Sequence, residues 1–411
     1  ALIDDEGKVK AFAKESFVKP DERYIAQKWF SALCSAVKKL IDAAGEDDIA
    51  AIGISGNGPT IVSEDGTTLL WNADIKPAPI AGTLAAHSLF IPRIAAFREL
   101  FPAEWDASPY IYSGPEYLIR KLTGASLTIL PEARYESAYW TREQLDAATL
   151  PESKLPPYVP LASDAGATNE EATASLGLKK PVRVFCGGPD FIAAMIGTNT
   201  LSVGRIYDRA GSSEGLNVCI PQPCRAEKTL LLPAVIPDLW NLSSVIPSSG
   251  AAFSAFLVSH GFLGNDYIAA MERIAEEPFV ASGAYPETFA GQGRAFVEEL
   301  AFRIRRGCDA LEQASGFRPV YTLSGGQAHN ALWCQMKADM TGRTFALPYF
   351  ADGELIGDAA LALYGLGNDK GRGESLVSIA RRLIRIKRYY EPDAAVARRY
   401  TEKFLSHSET A

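Results

Sequence analysis

The stretch LSGGQAHNALWCQMKADMTGR, residues 323–343, decides how the chain is read. It begins at the end of a short apolar run, residues 319–323, that reads as a strand. Ser324-Gly325-Gly326 makes a turn, and a helix that includes Asn330 is expected over residues 329–341. A strand that passes through glycines into a helix is a unit of α/β architecture. The N–H groups of such a turn and of the first helical residues lack intrahelical partners, so they form a cradle for anions. Two further glycine turns follow predicted strands. Gly187-Gly188-Pro189-Asp190 joins a strand from Val182 to a small apolar helix. Ala210-Gly211-Ser212-Ser213 lies between hairpin strands read over 203–208 and 215–220. Ser212 and Ser213 add hydroxyl donors, and the set suits a polyphosphate. Neither a G-x-x-x-x-G-K-[ST] loop nor a G-x-G-x-x-G turn after the opening strand is present.

Asp190 admits two readings. It stands at a strand-to-helix junction, where aspartate is a favoured N-cap. The sharper reading is an active-site carboxylate, because the preceding glycines let a substrate approach closely.

The other elements frame these turns. Residues 1–19 read as a hairpin about Asp4-Asp5-Glu6-Gly7, and residues 22–44 as an amphipathic helix through Ile25, Trp29, Leu33, Val37 and Leu40. A continuous apolar strand, Ile49 to Ile54, ends in Ser55-Gly56-Asn57-Gly58-Pro59. A hairpin over 60–71 and a mainly helical stretch over 88–150 follow, with a Pro-rich exit at 151–160. Helices are expected at 251–259, 266–275, 294–315, 355–366, 374–388 and 393–406. The two halves share a similar order of elements, which points to two related α/β domains, residues 1–180 and 181–411.

Bulk properties exclude several classes. A formal net charge of −8 is the wrong sign for a nucleic-acid partner. No apolar run approaches the roughly 20 residues of a membrane span, and no signal peptide is read at the start. The six cysteines have no metal spacing; Cys34, Cys186 and Cys334 fall in apolar patterns and are expected to be buried thiols in a cytoplasmic protein. His87, His260, His329 and His407 are too scattered for a metal site. Trp333 reads as core and His329 as surface. The basic run Arg381, Arg382, Arg385, Lys387, Arg388 reads as a solvated helix face.

Taken with Ile356-Gly357-Asp358-Ala359-Ala360-Leu361-Ala362, the stretch at 323–343 resembles the nucleotide-binding signature of the FGGY carbohydrate kinases. Ile52-Gly53-Ile54-Ser55-Gly56-Asn57, PEYLIRKLTG at 115–124, CGGPDFIAAMIG at 186–197, AGSSEG at 210–215 and the helix from Gly293 to Arg306 resemble family segments in the same order. The resemblance implies two ribonuclease H-like domains of the actin-like ATPase superfold with an interdomain cleft. It implies a kinase that uses ATP and Mg²⁺ to phosphorylate a sugar or polyol, a ketose such as xylulose first. By the same resemblance, Asp190 accepts the proton of the attacking hydroxyl. Gly211, Ser212 and Ser213 face the phosphates, Gly325, Gly326 and Asn330 line the adenosine pocket, and Asn57 and Gly58 lie near the sugar. Trp71 and Asp74 are further sugar-site candidates, with a plain turn and an ordinary loop carboxylate as the alternatives for Asn57-Gly58 and Asp74. A small-molecule substrate, no membrane and no nucleic acid follow, and a homodimer is compatible with all of this.

The chain also departs from the family pattern. The D-x-G-[TS]-[TS] loop and the strand before it are not found ahead of ALIDDEGK, and a missing stretch of the protein before Ala1 is the expected reason. Trp71-Asn72-Ala73-Asp74-Ile75-Lys76 shifts the aspartate of the family's W-x-D-x-R and lacks its arginine. The spans 76–92 and 264–293 are shorter than the family's sugar-facing loops. The metal ligands are not read from the sequence. A silent sugar- or nucleotide-binding member of the same fold is the rival reading.

Overall fold

The computed structural model describes residues 1–16, 22–45, 49–75, 83–262, 266–369 and 373–408. Residues 17–19 of the expected opening hairpin, and 76–82 and 264–265 of the two short sugar-facing spans, lie outside the described residues. The chain divides into two compact units, Ala1–Gly197 with Glu354–Leu383, and Thr198–Gly353 with Ile384–Ala411.

In the first unit, β1 (Leu2–Ile3) and β2 (Val9–Ala11) form the opening hairpin, and α1 (Ile25–Ala44) follows. Helix α1 stops where the Gly45 N–H bonds back to the Ile41 carbonyl at 2.7 Å. Next come β3 (Ala51–Gly56), the hairpin β4 (Ile61–Ser63) and β5 (Thr68–Leu69), α2 (Ile91–Leu100), α3 (Pro102–Ala107) and β6 (Ile111–Tyr112). Helix α4 (Gly114–Thr123) carries the PEYLIRKLTG motif, with a proline in its first turn and the left-handed Gly124 as its stop. Then follow β7 (Thr128–Leu130), α5 (Glu136–Tyr139), α6 (Arg142–Ala147), β8 (Tyr158–Pro160), β9 (Asp164–Ala167), α7 (Glu170–Leu176), β10 (Arg183–Pro189) and α8 (Asp190–Gly197).

The second unit is built on a seven-stranded sheet among the described residues. Its members are β11 (Ile206–Ala210), β12 (Glu214–Ile220), β13 (Thr229–Pro233), β14 (Trp240–Ile246), β15 (Tyr321–Ser324), β16 (Phe345–Pro348) and β17 (Ile386–Tyr390). Their order is β13-β14-β12-β11-β15-β16-β17, with β11–β15 and β15–β16 parallel. Its helices are α9 (Ser249–Ser259), α10 (Tyr267–Glu276), α11 (Phe289–Ser315), α12 (Ala331–Thr341) and, at the end of the chain, α15 (Ala394–Ser408). Helices α13 (Gly353–Asp369) and α14 (Leu376–Leu383) intervene, and Glu354–Leu383 belongs to the first unit.

The break thus falls at Gly197/Thr198, later than the expected 180/181, and the second half returns a segment to the first. The reason is strand pairing. β10 pairs in parallel with β3, from Arg183↔Ala51 to Pro189↔Gly56, so it and α8 complete the first unit. Val184 and Cys186 join Ile54, Ile119 and Leu122 in that unit's core. The core of the second unit lies between the sheet and α10, α11 and α12, with Trp333, Tyr321 and Phe345 fully buried.

Two sequence expectations change. Strands β13 and β14 occupy a stretch with no strand expected, because Asn241, Ser243 and Ser244 interrupt the apolar pattern. They are buried nonetheless, and the Asn241 amide donates to Asn217 Oδ1 on β12 at 3.0 Å. The expected helix at 374–388 ends at Leu383; Ile386–Tyr390 pairs antiparallel with β16 as an edge strand. Exposed Lys387 and Arg388 on that strand suit an edge, where charge discourages pairing with other chains.

Gly357 lies inside α13, where alanine is ordinarily worth roughly 0.5–1 kcal/mol more than glycine. A Cβ there would stand 1.9 Å from the Ala193 carbonyl oxygen of α8. Gly357→Ala is therefore expected to destabilise the protein by about 1–3 kcal/mol in thermal melts. Gly367→Ala, on the same helix with nothing within 4 Å, is expected to be neutral or stabilising.

Candidate functional site

In the first unit, parallel register brings the sequence candidates together. Gly188 lies opposite Ser55 and Pro189 opposite Gly56, so the chain leaves both strands at the same end, toward Asp190 on one and Asn57 on the other. Ligands of α/β sheets characteristically bind beyond the carboxyl ends of parallel strands. Asp190 is the first residue of α8, directly after the strand, and is half-buried. The positive end of the helix dipole favours a carboxylate there. Asn57 is exposed, and Gly58 faces the ring of Phe90. Trp71 is 49% exposed, and its N–H donates to Thr60 Oγ1 at 3.1 Å, which ties the Trp71–Asp74 loop to the turn after β3. Arg93 on α2 holds the same loop, donating to the carbonyls of Leu70 at 2.7 Å and Ala73 at 3.4 Å. Asp74 is exposed.

Two buried acids stand behind these strand ends. Asp358 on α13 accepts a 2.7 Å hydrogen bond from the Ser55 hydroxyl, while its Oδ1 is buried with no hydrogen-bond partner and packs against Gly187. Burial raises its pKa to about 7 against the opposing effect of Ser55. Glu116 on α4 accepts from the Ile129 N–H at 3.0 Å and from the Ser113 hydroxyl, and burial likewise raises it to about 7.

In the second unit the glycine turns line one cavity of about 470 Å³. Register again decides the arrangement: Arg209 lies opposite Ser324 on the parallel pair β11–β15, so the Gly211 and Gly325 turns are neighbours. Gly325 has φ +89°, and a Cβ there would stand 2.6 Å from the Ala210 carbonyl oxygen. Gly211, Ser212, Gly250, Gly326 and Gln327 line the cavity with backbone and polar groups, and Phe253, Leu257, Phe262 and Tyr267 line it with mainly apolar surface. Gln327 bridges the turns, donating to the Gly211 carbonyl at 3.1 Å and accepting from Trp333 Nε1 at 3.0 Å.

Three of the expected nucleotide residues are not among the residues lining this cavity. The Ser213 hydroxyl accepts from the Ser248 N–H at 3.0 Å. Gly325 is packed against Ala210, and Asn330 caps α12 through the Trp333 N–H at 2.9 Å, its Nδ2 buried without a partner. The sequence reading missed the apolar wall, because Phe253, Leu257 and Tyr267 sit in helices whose apolar residues read as ordinary core.

Comparison with known proteins bears on this arrangement. Residues 279–366 match the C-terminal domain of the FGGY family of carbohydrate kinases. Over that stretch the chain is similar to the FGGY kinases. It is 23% identical over 426 residues to the xylulose kinase of Staphylococcus epidermidis RP62A, covering 89% of this chain and 83% of that one. The crystal structure of a xyloylose kinase from Brucella ovis superposes with TM-score 0.75 at 20% identity, over 94% of this chain and 89% of that one. Plasmodium falciparum glycerol kinase with ADP superposes with TM-score 0.73 at 16% identity, over 99% and 94%. The fold is accordingly the two-domain α/β fold of these kinases. Among the described residues no helix is long and apolar enough to cross a membrane.

The Asp358 shift has a sign that can be measured. Folded Asp358 keeps its proton up to about pH 7, whereas the unfolded chain loses it near 3.8, so this group's contribution to stability is full below about pH 4 and falls away as pH rises toward 7. Asp358→Asn removes that slope. Its melting temperature relative to the parent is expected to rise by several degrees between pH 5 and pH 8, at about 2–4 °C per kcal/mol for a domain of this size. A constant difference across that range would contradict the buried acid.

Proposed function

We propose that this protein is an FGGY-type carbohydrate kinase that transfers the γ-phosphoryl group of ATP to a hydroxyl of a ketose, with Asp190 as general base and Mg²⁺ accompanying the nucleotide. The observation that carries the reading is the register of β3 with β10, which sets Asp190 beside the Asn57-Gly58 turn and the Trp71 loop at one strand end. The relatives named xylulose kinase make a xylulose-like ketose the first substrate class.

The second unit's cavity suits a nucleotide. Its glycines leave backbone close to the space where phosphates would lie, Ser212 adds a hydroxyl, and Phe253, Phe262 and Tyr267 offer an apolar wall to a base. Among the described residues no group of three His, Cys, Asp or Glu side chains forms a protein cage for a metal. A Mg²⁺ ion carried by phosphates needs only one or two carboxylates, and it would neutralise the charge that develops on them.

In the proposed reaction the sugar hydroxyl attacks the γ-phosphorus in line. The new O–P bond forms as the bond to the β,γ-bridging oxygen breaks, and ADP leaves. Asp190 takes the hydroxyl proton, and Asn57 and the Trp71–Asp74 loop orient the sugar. The thiols, free among the described residues, fit a cytoplasmic setting.

The test is ADP release with Mg-ATP and a panel of ketoses and polyols, run beside Asp190→Asn. A general base is worth about 10²–10⁴ in rate, so the variant is expected to lose at least a hundredfold in kcat while ATP binding is kept. Sugar-dependent turnover that survives the substitution would return Asp190 to a helix-terminal role.

A further inference from the structure

Beneath the Gly211–Ser213 turn lies a charge cluster with no part in the chemistry above. Lys337 Nζ on α12 donates to Asp208 Oδ2 at 2.7 Å and to Glu214 Oε1 at 2.6 Å, and all three side chains are at most 1% exposed. Asp208 and Glu214 sit on the two strands that the turn connects; Glu214 is the residue directly after Ser213. Helix α12 follows the other glycine turn, at Gly325-Gly326. A single ammonium therefore ties together the elements that carry both turns.

The cluster has one carboxylate more than it has ammonium. With every group ionised it carries a buried charge of −1, and Asp208 Oδ1 and Glu214 Oε2 are both buried without a donor. The two carboxyls are close enough to share a hydrogen bond, and one proton between them would supply the missing donor and remove the net charge. We propose that the Asp208–Lys337–Glu214 triad is a positioning device for nucleotide phosphates, which holds one proton between its carboxyls so that the turn above stays neutral toward a polyanion. The inference rests on the nucleotide reading of this cavity.

Burial first, and then the charge of Asp208, raise the Glu214 pKa to about 8 against the pull of Lys337. The other titratable groups facing the cluster are Cys334 on α12 and Tyr267 on α10, with Cys308 on α11 facing Asp208. Burial pushes Cys334 and Cys308 up to about 11 and about 12, and Tyr267 to about 12, so all three stay neutral while Glu214 titrates. Loss of the Glu214 proton would leave −1 under the turn and repel phosphates.

The experiment is ADP affinity by calorimetry from pH 7.5 to 9.5, a range in which the nucleotide's own phosphates are already ionised. Wild-type affinity is expected to fall about five- to tenfold across it, the scale of one added charge near the ligand at intermediate dielectric. Glu214→Gln, which keeps the shape of the protonated acid, is expected to bind ADP equally at both ends of the range. Asp208→Asn is a second variant that leaves the ammonium one anion and removes the need for the proton, and its profile is also expected to be flat. A flat wild-type profile, or variants that follow the wild-type slope, would overturn the triad's role and leave the nucleotide site standing. A wild-type protein that binds no ADP at any pH would overturn the reading of the cavity and this inference with it. Should neither variant fold, the wild-type slope decides.

Discussion

Parallel pairing between strands far apart in the chain is the constraint on which the rest depends. β3 and β10 are separated by more than a hundred residues, yet their register sets the turn after each at one end of the sheet. β11 and β15 repeat the device in the second unit. Parallel neighbours require a long crossover, and their ends are where backbone groups fall free of the ladder. A one-residue slip would turn every side chain to the opposite face. Register therefore places Asp190 and Asn57 together as surely as it builds the core.

Close approach and buried charge reinforce that register. Gly357 lets α13 lie directly on α8, which brings Asp358 against the Ser55 hydroxyl and Gly187. Gln327 and Lys337 do the same for the second unit, one from the side of the turn and one from below. Buried ions are poor sources of stability, because desolvation offsets much of their attraction. Their usefulness here is geometric: an ammonium held by two carboxyls allows the strands on either side of the Gly211–Ser213 turn few alternative positions.

The legible parts of the fold were those with strong local signals. The glycine turns, α12, α13 and the strand before Asn57 announce themselves through punctuation and periodicity. β13 and β14 stayed hidden because Asn241, Ser243 and Ser244 break the apolar pattern yet are buried by sheet neighbours, Asn241 donating to Asn217 on β12, that no local pattern reveals. Of the basic run at 381–388, Arg381 and Arg382 lie on α14 as expected, whereas Lys387 and Arg388 do not, since pairing with β16 overrides the helical appearance of Ile386–Arg388.

By itself the sequence determined the α/β class, the glycine turns at Gly211 and Gly325, the family likeness and the candidacy of Asp190, because each rests on residues within a few positions of one another; the turn expected at Gly187-Gly188-Pro189 is instead the end of β10, held in the strand by its pairing with β3. Only the tertiary structure decided which candidates meet. It set Gly211, Ser212 and Gly326 on a cavity wall, put Ser213 and Asn330 to work on helix starts, and supplied an apolar wall from α9 and α10. It also paired Asp358 with Ser55, and Lys337 with Asp208 and Glu214, across more than a hundred residues of chain. Such contacts depend on sheet register and on the desolvation of charges at a distance, and neither leaves a mark on neighbouring residues.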